Sequence, residues 1–303
     1  MKIVRFSAAG GCKAIGYLEG DSVIEFGRAA KMRWGLHSPS HEVTAPHYWS
    51  VLGMLQMGDL VPIDELREVR EFIAKHSLEE ELTVERPRLL APIARPPRII
   101  ALGLNYAAHA AETGKEPPKE PIFFVKASTA VIGPEEPVVC PRRVGRIDHE
   151  VELAVIIGKG GRSISRKKAP DHIFGYTILN DVTARDMQSE AMAASRPWFL
   201  SKSLDAFAPM GPCITLADEI MEPCELDVSL RVNGNIRQKG NTRDLIFSVP
   251  ELIHRLSRYV TLEPGDVIST GTPSGISPIH PGDVMEAEIE RIGVLRNPVA
   301  AGK

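Results

Sequence analysis

Residues 146–158 read Arg146-Ile147-Asp148-His149-Glu150-Val151-Glu152-Leu153-Ala154-Val155-Ile156-Ile157-Gly158, and this run decides the fold of the surrounding chain. Its alternating Val and Leu residues and its high Val/Ile content predict a β-strand. Side chains two positions apart on a strand point to the same face, so Glu150 and Glu152 lie about 7 Å apart on one face. That face continues into Ala154 and Ile156, so we expect it to be half-buried.

Two carboxylates on such a face indicate a metal site. They repel each other and are poorly solvated, and a divalent cation removes both problems. Residues 175–181 predict a second strand, which ends in the carboxylate of Asp181. Three carboxylates from two strands form a hard oxygen site that suits Mg²⁺ or Mn²⁺. The alternative for Glu150 and Glu152 alone is the solvated face of an antiparallel sheet.

Composition excludes several classes of protein. The chain has 303 residues, a formal net charge of −3 at pH 7 and a pI near 6.3, so we expect neither nucleic acid nor a membrane as partner. The four cysteines form no Cys-x-x-Cys pair and no disulfide framework, which predicts a reducing, cytoplasmic environment. We expect no signal peptide and no membrane span, because no segment has the necessary apolar run.

The N-terminal third predicts a small α+β unit. Three short strands separated by Gly-rich turns precede two helical segments, at residues 48–57 and 62–76. Residues 85–98 contain several prolines, which we expect to exclude a regular element and to mark a linker. We therefore predict a small N-terminal domain with its linker at residues 1–97 and a strand-rich α/β domain at residues 98–303.

A second group of residues suggests acid–base chemistry. Residues 105–112 follow a predicted strand and are rich in alanine, so His109 and Glu112 share a helix face. A carboxylate beside an imidazole raises its basicity and fixes its tautomer, which makes a general base that can activate water. The alternative is an ordinary surface pair.

Further polar residues follow the predicted metal strands. Arg185 and Gln188 come shortly after Asp181, and an arginine near a cation suits a substrate carboxylate. Lys202 follows the aromatic residues 198–199, which we expect to be buried. This lysine could stabilise developing negative charge or simply extend towards solvent. The polar turn at residues 269–275 could bind an anion through its backbone N–H groups or be a plain loop.

These motifs together resemble those of the fumarylacetoacetate hydrolase family, in the branch that includes acylpyruvases and homoprotocatechuate-pathway isomerases. The resemblance covers residues 99–299. The segments that carry it are Gly103-Leu104-Asn105-Tyr106-Ala107-Ala108-His109, His149-Glu150-Val151-Glu152-Leu153, Asn180-Asp181-Val182-Thr183-Ala184-Arg185-Asp186-Met187-Gln188, Lys202-Ser203, Val232-Asn233-Gly234 with Arg237-Gln238, and Gly271-Thr272-Pro273-Ser274-Gly275.

The resemblance implies a β-rich mixed α/β roll like the C-terminal part of fumarylacetoacetases, and a homodimer. It implies the following roles: metal ligands Glu150, Glu152 and Asp181; catalytic residues His109, Glu112 and Lys202, the first two on a lid; substrate-binding residues Arg185, Gln188 and Thr272. Two positions depart from the family pattern. No fourth carboxylate ligand stands near residues 107–108, and Leu104 occupies a position where many acylpyruvases carry arginine.

We therefore expect a metal-dependent hydrolase that cleaves a C–C bond in a 2,4-dioxo acid, an acylpyruvate such as fumarylpyruvate, to pyruvate and a carboxylic acid. Water activated by His109 and Glu112 would attack the distal carbonyl, and Lys202 would stabilise the departing enolate. The same residues suit two alternatives, an isomerase of 2-hydroxy-dienedioates and an oxaloacetate decarboxylase, which the motifs do not separate. A metal-binding protein without catalysis is disfavoured, because every motif position is filled.

Overall fold

The computed structural model describes residues 1–8, 11–37, 50–56, 62–220 and 225–302. Its strands are β1 Lys2–Ser7, β2 Lys13–Glu19, β3 Ser22–Glu25, β4 Thr83–Glu85, β5 Arg88–Leu90, β6 Ile99–Gly103, β7 Ile122–Lys126, β8 Val131–Ile132, β9 Val138–Cys140, β10 Ile147–Asp148, β11 Val151–Ile157, β12 Ile173–Asn180, β13 Thr183–Ala184, β14 Ala208–Leu216, β15 Asp227–Val232, β16 Asn235–Asn241, β17 Val267–Ser269, β18 Val284–Ile289 and β19 Gly293–Ala301. Its α-helices are α1 Phe26–His37, α2 Val51–Leu55, α3 Pro62–Lys75, α4 Glu79–Leu82, α5 Ala107–Glu112, α6 Arg185–Ala193, α7 Phe199–Lys202 and α8 Val249–Ser257.

Most of these strands belong to one large mixed sheet. Within the described segments its order is β4-β3-β2-β1-β14-β12-β11-β17-β6-β7, with β5 attached to β1 and β8 to β14. A second sheet has the order β16-β15-β18-β19-β9, and β10 pairs with β13. This arrangement confirms the predicted β-rich α/β architecture. None of the helices in the described ranges is long and apolar enough to cross a membrane.

Strand β11 lies inside the large sheet and separates two hydrophobic cores. Its side chains at Leu153 and Val155 belong to a core shared with the second sheet and α8. Its side chains at Ala154 and Ile156 belong to a core shared with α1 and α3. Every residue of β11 is buried, so the prediction of a half-buried face was wrong. The reason is that elements from both ends of the chain cover the two faces of this sheet.

The N-terminal strands extend the same sheet. Strand β1 pairs with β14 through Lys2 opposite Thr215 and Ile3 opposite Ile214. Strand β5 pairs with β1, so the prediction that the proline-rich segment holds no regular element was wrong at Arg88–Leu90. The prolines flank these three residues, whose own N–H groups remain free to pair. Hydrogen bonding is thus continuous between the N-terminal strands and the rest of the sheet, and the division at residue 97 stays a prediction.

The helical predictions for the N-terminal third are mostly met. The segment predicted at residues 62–76 forms α3, and part of the segment predicted at residues 48–57 forms α2. Residues 48, 49 and 57 lie outside the described ranges. The sequence does not predict α1, because this segment has no clear helical spacing of apolar residues.

Strand register brings four polar strand ends to one edge of the large sheet. Val151 at the start of β11 is opposite Asn180 at the end of β12. Ala154 is opposite Ser269 at the end of β17, and β6 runs parallel to β17 and ends beside it. The residues that follow β6, β12 and β17 and precede β11 therefore surround one small region.

A buried ion pair fixes the beginning of β6 to β17, and it provides a test of the fold. Arg98 Nε donates to Asp266 Oδ1 at 2.9 Å, and Asp266 is fully buried. Replacing Arg98 by methionine leaves a buried carboxylate without its cation, so we predict a loss of about 3 kcal/mol in the free energy of unfolding. Urea unfolding followed by circular dichroism measures it.

The matched control is Arg67→Met, because Arg67 forms an exposed ion pair with Asp218. Exposed pairs contribute about 1 kcal/mol or less. Equal losses in the two variants would contradict a structural role for the Arg98–Asp266 pair.

Candidate active site

Three carboxylates meet where β11 begins and β12 ends. The ligand atoms of Glu150, Glu152 and Asp181 lie within 4.8 Å of one another, and all three residues are buried. The backbone holds them there. Asp181 N donates to the carbonyl oxygen of Glu150 at 2.8 Å, and Asn180 Oδ1 accepts from Glu150 N at 2.8 Å. The structure therefore brings together the triad that the sequence predicted.

Three buried or half-buried cations surround this triad. Lys202 Nζ lies 2.7 Å from Glu150 Oε2 and 2.6 Å from Asp181 Oδ2. Lys126 Nζ lies 2.7 Å from Asp181 Oδ1, and the guanidinium of Arg185 forms a short contact with Glu150. The carboxylates are therefore attracted to these cations and repelled by one another.

This environment separates the pKa values of the two glutamates. Burial alone would raise the pKa of Glu150, but the charges of Lys202 and Arg185 outweigh it and hold that pKa well below its usual range. Burial raises the pKa of Glu152 well above its usual range, and the neighbouring charge of Asp181 raises it further. Burial and the charge of Asp181 thus favour the neutral form of Glu152 in the absence of a further cation.

The pKa values of the two buried lysines shift in opposite directions. Burial lowers the pKa of Lys202, but the charges of Asp181 and Glu150 overcome this and leave it raised, so Lys202 stays an ammonium ion. Burial lowers the pKa of Lys126, and there the charge of Asp181 does not fully compensate. The two lysines therefore differ in how firmly they hold a proton.

The triad fits a divalent cation. The ligand oxygens of Glu150, Glu152 and Asp181 converge within 4.8 Å, and Lys126 Nζ holds Asp181 Oδ1 at 2.7 Å. Glu152 accepts hydrogen bonds from Ser269 Oγ at 2.6 Å and from Gly271 N at 2.9 Å, both on Oε2. Carboxylate oxygens held in this way suit the hard cations Mg²⁺ and Mn²⁺.

His109 and Glu112 form the predicted pair on α5. His109 Nδ1 lies 3.3 Å from Glu112 Oε2, and His109 is buried. Glu112 also accepts from Gly275 N, at 3.0 Å on Oε1 and 3.1 Å on Oε2. Gly275 has φ of +100°, and a Cβ there would lie 2.0 Å from the carbonyl oxygen of Arg237, so only glycine fits. Helix α5 is thereby tied to the turn that follows β17.

Arg185 lies beside the triad, but its donors are already engaged. Its Nε donates to Asp148 Oδ2 at 2.8 Å and its Nη1 to Gln188 Oε1 at 2.6 Å, in addition to the contact with Glu150. Thr272 is engaged as well, since its hydroxyl donates to the carbonyl oxygen of Val151 at 2.8 Å. The substrate contacts predicted for Arg185, Gln188 and Thr272 stay predictions.

One small cavity joins these residues. It has a volume of about 50 Å³ and is lined by side chains from the ends of several elements: Leu102, Gly103, Leu104, His109, Thr113, Lys115, Phe124, Glu150, Glu152, Arg185, Gln188, Trp198, Lys202 and Thr272. The cavity places an imidazole, two ammonium groups and the carboxylates within one enclosure. Such a set can bind an anionic substrate, hold a cation and move a proton.

Several contributors were missed or misplaced by the sequence reading. Lys126 is the last residue of the otherwise apolar strand β7, and a charged residue at the end of such a strand was the available signal. Gln238 is fully buried, with Oε1 accepting from His149 Nδ1 at 2.8 Å and Nε2 donating to Thr272 Oγ1 at 2.7 Å. The segment before Lys202 was expected to be buried, but Phe199 is 44% exposed. It lies on the short helix α7, which turns that ring outward.

Comparison with known proteins places the chain in a family. The fumarylacetoacetate hydrolase C-terminal model matches residues 98–300. An uncharacterized protein of Pyrococcus abyssi is 54% identical over 207 residues, which are 68% of this chain and 92% of that protein. The mitochondrial oxaloacetate tautomerase FAHD2A of Homo sapiens is 40% identical over 238 residues, covering 75% of each chain.

A solved structure agrees over the whole chain. Maleylpyruvate hydrolase from Sphingobium sp. SYK-6, in complex with manganese (II) ion and pyruvate, superposes with a TM-score of 0.76 at 33% identity, with all of both chains covered. These matches confirm the fold class, whereas the branch expected from the sequence is not resolved, because the relatives carry different activities. The family model and the identities lead to one conclusion: the chain belongs to the fumarylacetoacetate hydrolase family.

Proposed function

We propose that the protein interconverts the keto and enol forms of a 2-oxo acid, with oxaloacetate as the first candidate substrate. The observation that carries this proposal is the cavity in which Glu150 and Glu152 of the buried triad meet His109 and Lys202. Tautomerisation needs one group that accepts a proton from carbon and one that stabilises charge on oxygen. The human relative named oxaloacetate tautomerase supports this reaction over the hydrolysis expected from the sequence.

A divalent cation on Glu150, Glu152 and Asp181 would supply Lewis-acid chemistry at the carboxylate and 2-oxo oxygens of the substrate. The chain itself supplies the proton transfers. His109 Nδ1 faces Glu112, which leaves Nε2 as the nitrogen that takes the proton from C3 of the keto form and passes it to the 2-oxo oxygen to give the enol, with the reverse transfer restoring the keto form. Lys202 remains charged beside Glu150 and Asp181 and stabilises negative charge on the 2-oxo oxygen.

Hydrolysis of an acylpyruvate is the second candidate. It is favoured by the His109–Glu112 pair, because activation of water needs a base held by a second group. The likeness to maleylpyruvate hydrolase points the same way. Hydrolysis differs from tautomerisation in needing a water molecule beside the distal carbonyl, and decarboxylation of oxaloacetate needs neither that water nor the base.

Mn²⁺ or Mg²⁺ is the proposed cofactor, and the manganese complex of the Sphingobium relative supports Mn²⁺. The homodimer and the cytoplasmic location stay predictions. Light scattering of the purified chain tests the homodimer, and a monomer at micromolar concentration would contradict it.

Loss of one carboxylate should remove the cation. Asp181→Asn keeps the shape of the side chain but removes its charge, so we predict that the dissociation constant for Mn²⁺ rises roughly 100-fold or more, since even hydrogen-bond partners of metal ligands contribute 10–100-fold. Isothermal titration calorimetry with Mn²⁺ measures it. The control is Asp205→Asn, at an exposed position. Unchanged Mn²⁺ affinity in a folded Asp181→Asn variant would refute the site.

His109 should separate the candidate reactions. We predict that His109→Gln slows the metal-dependent conversion of enol-oxaloacetate to the keto form by roughly 10²-fold or more, the usual scale for loss of a general base. The decay of enol absorbance measures it, with Mn²⁺ alone and protein with EDTA as controls. Any oxaloacetate decarboxylation should fall less, because it does not need the base.

The wild-type protein should also be assayed with an acylpyruvate as substrate, by measuring the release of pyruvate. Faster pyruvate release than enol conversion, lost together with His109, would replace tautomerisation by hydrolysis as the function. Enol conversion that is unchanged in His109→Gln would show that His109 is not the base.

A further inference from the structure

One cation in the cavity has no carboxylate partner. Lys115 lines the same cavity as Glu150 and Lys202. Its ammonium donates to Met192 Sδ at 3.9 Å, and it forms no ion pair with any of the described residues. The other cations of the cavity differ, since Arg185 and Lys202 are both bound to carboxylates. A thioether is a weak acceptor and Lys115 is exposed, so solvent rather than a carboxylate of the described residues compensates its charge.

Lys115 is exposed to solvent, and the buried part of the residue lines the cavity. Burial lowers the pKa of Lys115, and the positive charge of Arg185 lowers it further. An anion bound between these two side chains would relieve both effects. Arg185 alone does not offer such a site, because Asp148 and Glu150 already neutralise its guanidinium.

Lys115 lies three residues after the end of α5, the helix that carries His109. Gly114 N donates to the carbonyl oxygen of Ala111 at 3.0 Å, and Lys115 N donates to that of Ala110 at 2.9 Å. Gly114 has φ of +67°, which closes the end of α5 as a left-handed cap. Lys115 therefore lies just beyond the capped end of α5, the helix that carries the proposed base His109.

We propose that Lys115 binds the second carboxylate of a 2-oxo dicarboxylate and so makes the enzyme select diacids over monoacids. The inference rests on the proposed function for the binding of the 2-oxo acid end at the triad. The far end of the substrate then meets the ammonium of Lys115, which forms no ion pair with the residues that the structure describes. Because Lys115 follows the capped end of the helix that carries His109, a correctly held diacid also aligns the base.

Unreactive 2-hydroxy acids test this without relying on turnover. Lactate and malate share the end that binds at the metal, and only malate has a second carboxylate. With Mn²⁺-loaded protein, we expect malate to bind at least 10-fold tighter than lactate by isothermal titration calorimetry. Lys115→Met should weaken the binding of malate by roughly 10-fold or more, which is the scale of a charged hydrogen bond. The affinity for lactate should not change. Tartronate and 2-hydroxyglutarate, one carbon shorter and longer, show which chain length depends most on Lys115.

Two further variants complete the test. Lys119→Met removes an exposed lysine from the same segment and should leave both affinities unchanged. Lys115→Arg keeps the charge and should restore most of the preference for malate. Equal weakening of lactate and malate in Lys115→Met, or no weakening of either, would overturn the inference. Its failure is distinguishable from that of the proposed function, because a wild type that selects malate through Lys115 but does not convert enol-oxaloacetate would refute only the reaction.

Discussion

The structure depends on the burial of three carboxylates at one edge of a sheet. Glu150, Glu152 and Asp181 are each less than a tenth exposed, and unpaired charges in such surroundings are strongly unfavourable. The buried ammonium groups of Lys126 and Lys202 neutralise part of this negative charge. Each set of buried charges is therefore stable only in the presence of the other. Removing a single member therefore leaves an uncompensated charge inside the protein. This reciprocal dependence keeps the two strands that carry the triad in register.

The same constraint explains why residues distant in sequence converge there. Buried carboxylates need hydrogen-bond donors, and Glu152 finds them in Ser269 and Gly271 after β17. Asn105 holds the end of β6 against that turn, since its Nδ2 donates to the carbonyl oxygens of Phe247 and Thr270. The helix with the proposed base then starts two residues later. The position of His109 thus follows from how the triad is satisfied.

The sequence was sufficient for the elements with strong local patterns. Alternation in residues 151–157 predicted β11, and the spacing of His109 and Glu112 predicted a shared helix face. It was insufficient where long-range pairing decides. Nothing local shows that Arg88–Leu90 pairs with β1. Likewise, the ammonium of Lys126 reaches Asp181 only because β7 joins the far end of the large sheet.

A similar limit applies to the site itself. Residue type predicted that Arg185 is available to a substrate, whereas three neighbouring acceptors hold its guanidinium in the structure. The partners of an arginine are set by tertiary packing, and Asp148 occupies its position through the pairing of β10 with β13. The opposite holds for Lys115, which carries no motif and gains its interest only from the absence of a carboxylate partner among the described residues.

The size of the cavity bears on the choice between the candidate reactions. A volume of about 50 Å³ holds roughly four water molecules. An acylpyruvate with an added water needs more room than oxaloacetate, so hydrolysis needs a wider cavity than tautomerisation does. The contact between Glu112 and Gly275 closes α5 over the cavity, so widening requires that this contact yield. Under the proposed function, the freedom of α5 to move away from Gly275 would therefore decide between tautomerisation and hydrolysis, since both reactions would place the 2-oxo acid end at the triad.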